Sequence, residues 1–254
     1  MEIITITNQK GGVGKTTTAH HLAVGLKKRG YKVLLIDADQ QGNLTYSLNS
    51  NYTATIYDVI KSQVSTENEV AIKDVICQTP QCDIIAGDIR LSKADLEFVD
   101  TGKEYLFREA LEPLKNDYDY IIIDTPPTLG ILTVNALTCS DSVIIPAQAD
   151  IFSLQGFGQL YKLINTVKKY TNPKLTIKGV LLTKYNDRTI LNRQLKQKAQ
   201  EISKNIETNV FNSTIREATS IREAQTNKLN VFDYDSKSKV AKDYNSFVDE
   251  FLKY

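Results

Sequence analysis

The residues richest in chemistry are two lysines, Lys10 and Lys15, separated by Gly11-Gly12-Val13-Gly14 and followed by Thr16 and Thr17. Lysine, glycine and hydroxyl side chains in this order make a phosphate-binding loop. Glycine lets the backbone approach a phosphate that a Cβ would hold off. The N–H groups of Gly11 to Lys15 can then wrap its oxygens, at the start of a helix whose N-terminus carries partial positive charge. Lys15 would reach the β- and γ-phosphates of a nucleotide, and the Thr16 hydroxyl would ligate Mg2+. The strict pattern G-x-x-x-x-G-K-[ST] is not met, because Gln9 occupies the place of its first glycine. Lys10 stands beside it as a second cation that the motif does not explain.

Carboxylates come from two further clusters. YKVLLIDADQQGN closes an apolar run with Asp37 and Asp39, and YIIIDTPP closes another with Asp124. Each acid follows several apolar residues, so it emerges at the carboxyl edge of a sheet, where open α/β folds bind ligands. Asp124 suits the second shell of Mg2+, acting through water, and Asp39 suits the orientation of a nucleophilic water beside a γ-phosphate. One such Asp is an ordinary helix cap or strand-end turn. Three at successive strand ends point to a site.

The elements that must position these groups follow from periodicity. Strands are expected at 2–7, 31–37, 82–87, 118–124, 141–147, 176–183 and 209–212, most of them nearly continuous in Val, Ile and Leu, as in strands covered on both faces. Helical patterns lie between them at about 15–29, 103–115, 129–138, 153–170 and 189–204, with a last helix at 237–252 that sets Val240, Tyr244, Phe247 and Phe251 on one face. The alternation predicts one α/β domain over 1–254, a doubly wound, mostly parallel sheet flanked by helices. Residues 43–80 carry the weakest pattern. Only nine residues precede Lys10, so no helix-turn-helix domain is expected before the loop.

Composition removes other classes. The 254 residues are 41% hydrophobic and 24% charged, with no apolar run near the roughly 18 residues of a membrane span and no export signal, so a cytoplasmic protein is expected. Cys77, Cys82 and Cys139 are read as reduced thiols, and the His20-His21 pair as packing or surface residues, not ligands. The net charge of +1 conceals an asymmetry: residues 162–254 carry +8 and residues 1–161 carry −7. A basic C-terminal third suits a polyanion, although solvated lysine-rich helix faces would give the same count.

Taken together, KGGVGKTT, LLIDADQQGN and IIIDTPPTLGILTVNAL resemble the ParA/Soj group of deviant phosphate-loop ATPases, relatives of MinD that segregate plasmids and chromosomes. The similarity continues through DSVIIPAQADIFSLQGFGQL, GVLLTKYNDRT and FDYDSKSKVAKDY. It implies an ATP- and Mg2+-dependent ATPase of weak intrinsic activity. It also assigns Lys10: in the family the early lysine crosses a sandwich homodimer to the phosphates held by the other subunit. Two facing triphosphates repel, and a cation from each partner offsets that charge, so pairing becomes conditional on ATP. By position, the resemblance further suggests Asn186 and Asp187 beside the adenine.

The same resemblance implies ATP-dependent, non-specific binding of duplex DNA, hence association with the nucleoid, and a ParB-like centromere-binding partner that stimulates hydrolysis. Non-specific binding is chiefly neutralisation of phosphates by cations. The candidates are Arg188, Arg193, Lys196 and Lys198 on one helical pattern, Arg216 and Arg222 in TIREATSIREA, and Lys237, Lys239 and Lys242. Glu217 and Glu223 directly follow the two arginines and offer each a local ion pair instead. A MinD-like, membrane-associated positioning ATPase is the alternative. It requires a basic amphipathic tail, whereas NSFVDEFLKY sets Asp249 and Glu250 among its aromatics. An electron-transferring relative would need cysteines beside Asp124-Thr-Pro-Pro, which are absent there.

Overall fold

The computed structural model describes residues 1–65, 70–148, 151–205 and 208–254, without the side chains of 151–157, 191, 202, 204 and 205. Part of the expected stretch DSVIIPAQADIFSLQGFGQL, residues 149 and 150, lies outside them. The strands are β1 Glu2–Ile6, β2 Val33–Asp37, β3 Ile76–Cys77, β4 Asp83–Ile85, β5 Tyr120–Asp124, β6 Ser142–Gln148, β7 Thr176–Thr183 and β8 Val210–Thr214. The α-helices are α1 Lys15–Lys27, α2 Asn43–Ser47, α3 Ile56–Val64, α4 Ala94–Glu97, α5 Leu106–Leu111 and α6 Ile131–Cys139, then α7 Ile151–Tyr170, α8 Ile190–Asn205, α9 Thr219–Thr226, α10 Val231–Tyr234 and α11 Lys239–Phe251.

Among the described residues the strands form one sheet in the order β3-β4-β2-β5-β1-β6-β7-β8. Every neighbouring pair is parallel except β3 with β4. The strands are apolar throughout because both faces are covered. Ile4, Ile6, Val33, Leu35 and Ile122 enter a core with α1 and α11, while Ile3, Leu34, Ile36, Ile121 and Ile123 enter one with α3, α5 and α6. The period of two along each strand sends neighbouring residues to opposite layers.

Each expected strand is present, with ends shifted by a few residues. The 103–115 pattern is broken into 3-10 turns around α5, with Pro113 in the second of them. Proline cannot continue the i to i−4 ladder. Periodicity left out the short edge strand β3 and the helices α2, α3, α9 and α10, most of them too short for a repeat to show. On α11 the four residues expected on one face, Val240, Tyr244, Phe247 and Phe251, are all buried.

His20 and His21 are packing residues. His21 stacks on Tyr244, its Nδ1 pairs with the Thr17 carbonyl at 2.7 Å, and its Nε2 accepts from the Val231 N–H at 3.0 Å. Cys77, Cys82 and Cys139 are free thiols.

Candidate functional site

The register brings the strand ends together. Asp124 of β5 lies opposite both Ile6 of β1 and Asp37 of β2, so the phosphate loop and the strand-end carboxylates share one edge of the sheet. Gly14 caps α1 at φ +87° without any side-chain cap, and Gly12 has φ +73°. Only glycine takes such values without strain. The first N–H groups of α1 are thus left for a ligand, as in an anion-binding helix terminus.

Residues that sequence reasoning passed over hold the loop in place. Thr183 Oγ1 donates to the Val13 carbonyl at 2.7 Å, and Gln148 Nε2 donates to the Gly12 carbonyl at 3.1 Å. Asn8 Nδ2 donates to the Pro146 carbonyl at 2.7 Å, while its Oδ1 accepts from the Lys10 N–H at 3.0 Å. The loop is therefore fastened to the ends of β6 and β7. Lys10 is half-buried at the start of the loop. Lys15 is buried, with Nζ 3.3 Å from the Lys10 carbonyl. Burial lowers its pKa, and Asp124 and Asp39 pull it back up.

The three carboxylates differ. Asp37 Oδ2 accepts from both the N–H and the hydroxyl of Thr45 at 2.8 Å, and its Oδ1 accepts from the Asp39 N–H at 3.2 Å. Burial raises its pKa to about 6, with Asp39 adding to the rise and Thr45 opposing it. Asp37 is a brace for the 39–45 segment. Asp39 takes an N–H from Gln41 at 3.0 Å and lines the cleft with Lys15. Asp124 is fully buried, yet neither oxygen has a hydrogen-bond partner. Burial, then the Asp37 charge, push its pKa well above the carboxylate range. The Thr16 hydroxyl lies near enough to oppose that rise but not in hydrogen-bond geometry.

A cleft of about 870 Å³ runs over these groups, walled by Gly11, Gly12, Gly14, Lys15, Thr16 and Thr17 on one side and by Thr183, Lys184 and the 215–218 segment on the other. Asn186 and Asp187 are not in this wall, contrary to the expectation for the adenine. Asn186 Oδ1 instead accepts from the Arg188 N–H at 3.1 Å, closing its own turn. In their place Ile215, Ala218 and Ile221 offer apolar surface.

Of the expected cations, Arg188 and Arg193 are exposed at the start of α8, and Lys237, Lys239 and Lys242 are exposed at and before the start of α11. Lys198 is also exposed on α8, while Lys196 is half-buried there and donates to the Asn212 carbonyl at 3.3 Å. Arg216 and Arg222 line the nucleotide cleft itself. Arg216 is held by Asp243 through Nε at 2.6 Å and Nη2 at 2.8 Å, so its acidic partner is Asp243 and not Glu217. Glu223 accepts from the Tyr234 hydroxyl at 3.3 Å. Among the described residues no cluster of His, Cys, Asp and Glu is arranged to hold a metal on its own.

Known proteins share this arrangement. A family described as an AAA domain matches residues 1–177. The sporulation initiation inhibitor protein Soj of Bacillus subtilis is 40% identical over 249 residues, covering 96% of this chain and 95% of that protein. The crystal structure of a putative plasmid partition protein from Borrelia burgdorferi bound to AMPPNP superposes with a TM-score of 0.79 at 30% identity, covering 99% of this chain and 98% of that one. Cobyrinic acid a,c-diamide synthase from Mycobacterium smegmatis, with bound ATP analogue and magnesium, gives 0.84 at 31% identity, covering 100% and 95%.

Proposed function

The chain belongs to the Soj/ParA family of partitioning ATPases, and we propose that it works as an ATP-conditional homodimer that binds duplex DNA without sequence preference and lets go after slow, partner-stimulated hydrolysis. The observation that carries this reading is the Asp124 carboxylate, buried beside Lys15 and Thr16 with both oxygens unpartnered. A buried charge without donors is costly, and water on a magnesium ion would supply them.

ATP and Mg2+ are the cofactors, and the residues present fit them. Thr16 would ligate the ion and Asp124 would hold its waters, while the N–H groups of Gly11, Gly12, Val13, Gly14, Lys15, Thr16 and Thr17 would surround the phosphates. The bound ion supplies positive charge that offsets the phosphate oxygens. Lys15 would do the same at the β- and γ-phosphates. Asp39, fixed by the Gln41 N–H and by Asp37, would orient the attacking water. Lys10 would reach the triphosphate of the second protomer, and loss of the γ-phosphate would then remove the reason for pairing.

Duplex DNA would meet Arg188, Arg193, Arg222, Lys237, Lys239 and Lys242, a set whose strength comes from number and not from sequence readout. Arg216 contributes less, because Asp243 already neutralises it. The partner that triggers hydrolysis would be of the ParB kind, bringing a basic segment. Membrane association is disfavoured: the apolar face of α11 is spent inside the core, and no described helix is long and apolar enough to cross a bilayer. The deciding experiment is duplex binding with ATP, with ADP and without nucleotide, in wild type and Lys15→Ala, over a salt series. Equal binding in every state defeats the reading.

A further inference from the structure

We propose that Lys184 is a nucleotide contact, a cation set against the phosphate chain from the wall opposite the phosphate loop; this rests on the cleft being the ATP site. Lys184 has φ +49°, the left-handed region, which a residue with a Cβ enters at a cost. Such strain persists only where the surroundings over-determine it, and it gathers at functional sites.

The surroundings are explicit. On one side Thr183 is pinned by its hydroxyl to the Val13 carbonyl at 2.7 Å and approaches the Ala147 carbonyl at 3.3 Å. It also packs against the loop, since a Cβ added to Gly14 would lie 3.8 Å from Thr183 Cγ2. On the other side the Tyr185 N–H donates to the Ile215 carbonyl at 3.0 Å, and the Ile215 N–H donates to the Leu182 carbonyl at 2.8 Å. With both neighbours tied, the chain must turn within one residue.

Glycine would make that turn without strain. Lysine brings to it a positive charge, placed one residue from the contact with Gly14 and in the wall of the same cleft. Lys184 is exposed and forms no hydrogen bond or ion pair with any described residue, although Asp39 and Glu217 line the cleft with it. Arg216, in the same wall, is already matched by Asp243. An unmatched cation beside the last glycine of a phosphate loop is complementary to a nucleoside di- or triphosphate.

The test is MgATP and MgADP affinity by titration calorimetry for wild type, Lys184→Gln, Lys184→Gly and Lys184→Arg, with melting temperature and duplex affinity measured in parallel. Lys184→Gln and Lys184→Gly should bind MgATP about tenfold more weakly, the order of one charge-assisted contact, and Lys184→Arg should stay near wild type. Lys184→Gly should also melt higher than wild type, because the strained turn is relieved, so its weaker binding is not unfolding. Unchanged MgATP affinity in the Gln and Gly variants overturns the proposal, and a loss confined to duplex affinity overturns it in favour of a DNA contact. A wild-type protein that binds no MgATP would sink the cleft reading beneath it.

Discussion

Asp37 and Asp124 stand side by side in register at the carboxyl ends of β2 and β5, both fully buried, yet Asp37 is bonded through both oxygens and Asp124 through neither. The same residue type at the same height in one sheet is thus a structural brace in one strand and an open acceptor in the next. The difference comes from Thr45, whose N–H and hydroxyl reach Asp37, and whose hydroxyl also accepts from the Gly87 N–H at 3.0 Å.

Thr45→Val keeps the shape of that side chain and removes its hydroxyl. Asp37 loses one donor and the Gly87 N–H its acceptor, which should cost about 1–3 kcal/mol in urea unfolding. ATP turnover should slow as well, since Asp37 also receives the Asp39 N–H. Wild-type stability in the variant would mean that the brace carries no strain.

Asp39→Ala should lower single-turnover ATP hydrolysis by about 10²-fold or more, the scale of a lost group that positions the nucleophile, and leave ATP-bound dimers intact in size-exclusion light scattering. Normal turnover removes Asp39 from that role.

Lys10→Ala and Lys15→Ala should separate binding from pairing. Lys15→Ala should lose MgATP binding, whereas Lys10→Ala should bind MgATP and remain monomeric in light scattering. A Lys10→Ala protein that dimerises with ATP as wild type does would leave the second lysine without a function between protomers.

Arg222→Glu should weaken duplex binding at least tenfold and flatten its dependence on salt, with MgATP affinity retained. Arg216→Glu should have a smaller effect on DNA and should destabilise the fold, because it sets a second carboxylate against Asp243. Unchanged duplex affinity in both moves the surface to α8 and α11.

Acid stability should depend on the histidine pair. Burial lowers His20 to about 4 and His21 to about 3 from the ordinary 6.5. Between those values and 6.5 the unfolded chain binds protons that the folded one refuses, so their contribution is lost as pH falls below about 6.5. Asp37, raised to about 6, acts in the opposite sense: the folded state holds its proton more tightly, so stability falls as pH rises from about 4 to about 6. His20→Gln keeps a donor for Gln81 and should reduce the acid loss in urea titrations from pH 7 to pH 4. An unaltered pH profile would show that His20 does not titrate on unfolding.

The sequence by itself determined the parallel sheet, the phosphate loop and the strand-end acids, because each is local. A continuous Val/Ile/Leu run buries both faces of a strand wherever it lies, and glycines before Lys15-Thr16 make a cradle from backbone alone. Tertiary structure alone decided which acid is left open, that Asp243 claims Arg216, that Asn186 turns back on its own loop, and that Thr183 presses Lys184 toward Gly14. These depend on partners between 27 and 170 residues away along the chain or on which loop wins a donor, as Asp243 to Arg216 and Thr183 to Val13 illustrate. Hydrogen bonds and charges act over a few ångströms of space, and no spacing along a chain records which distant side chain the fold will deliver there.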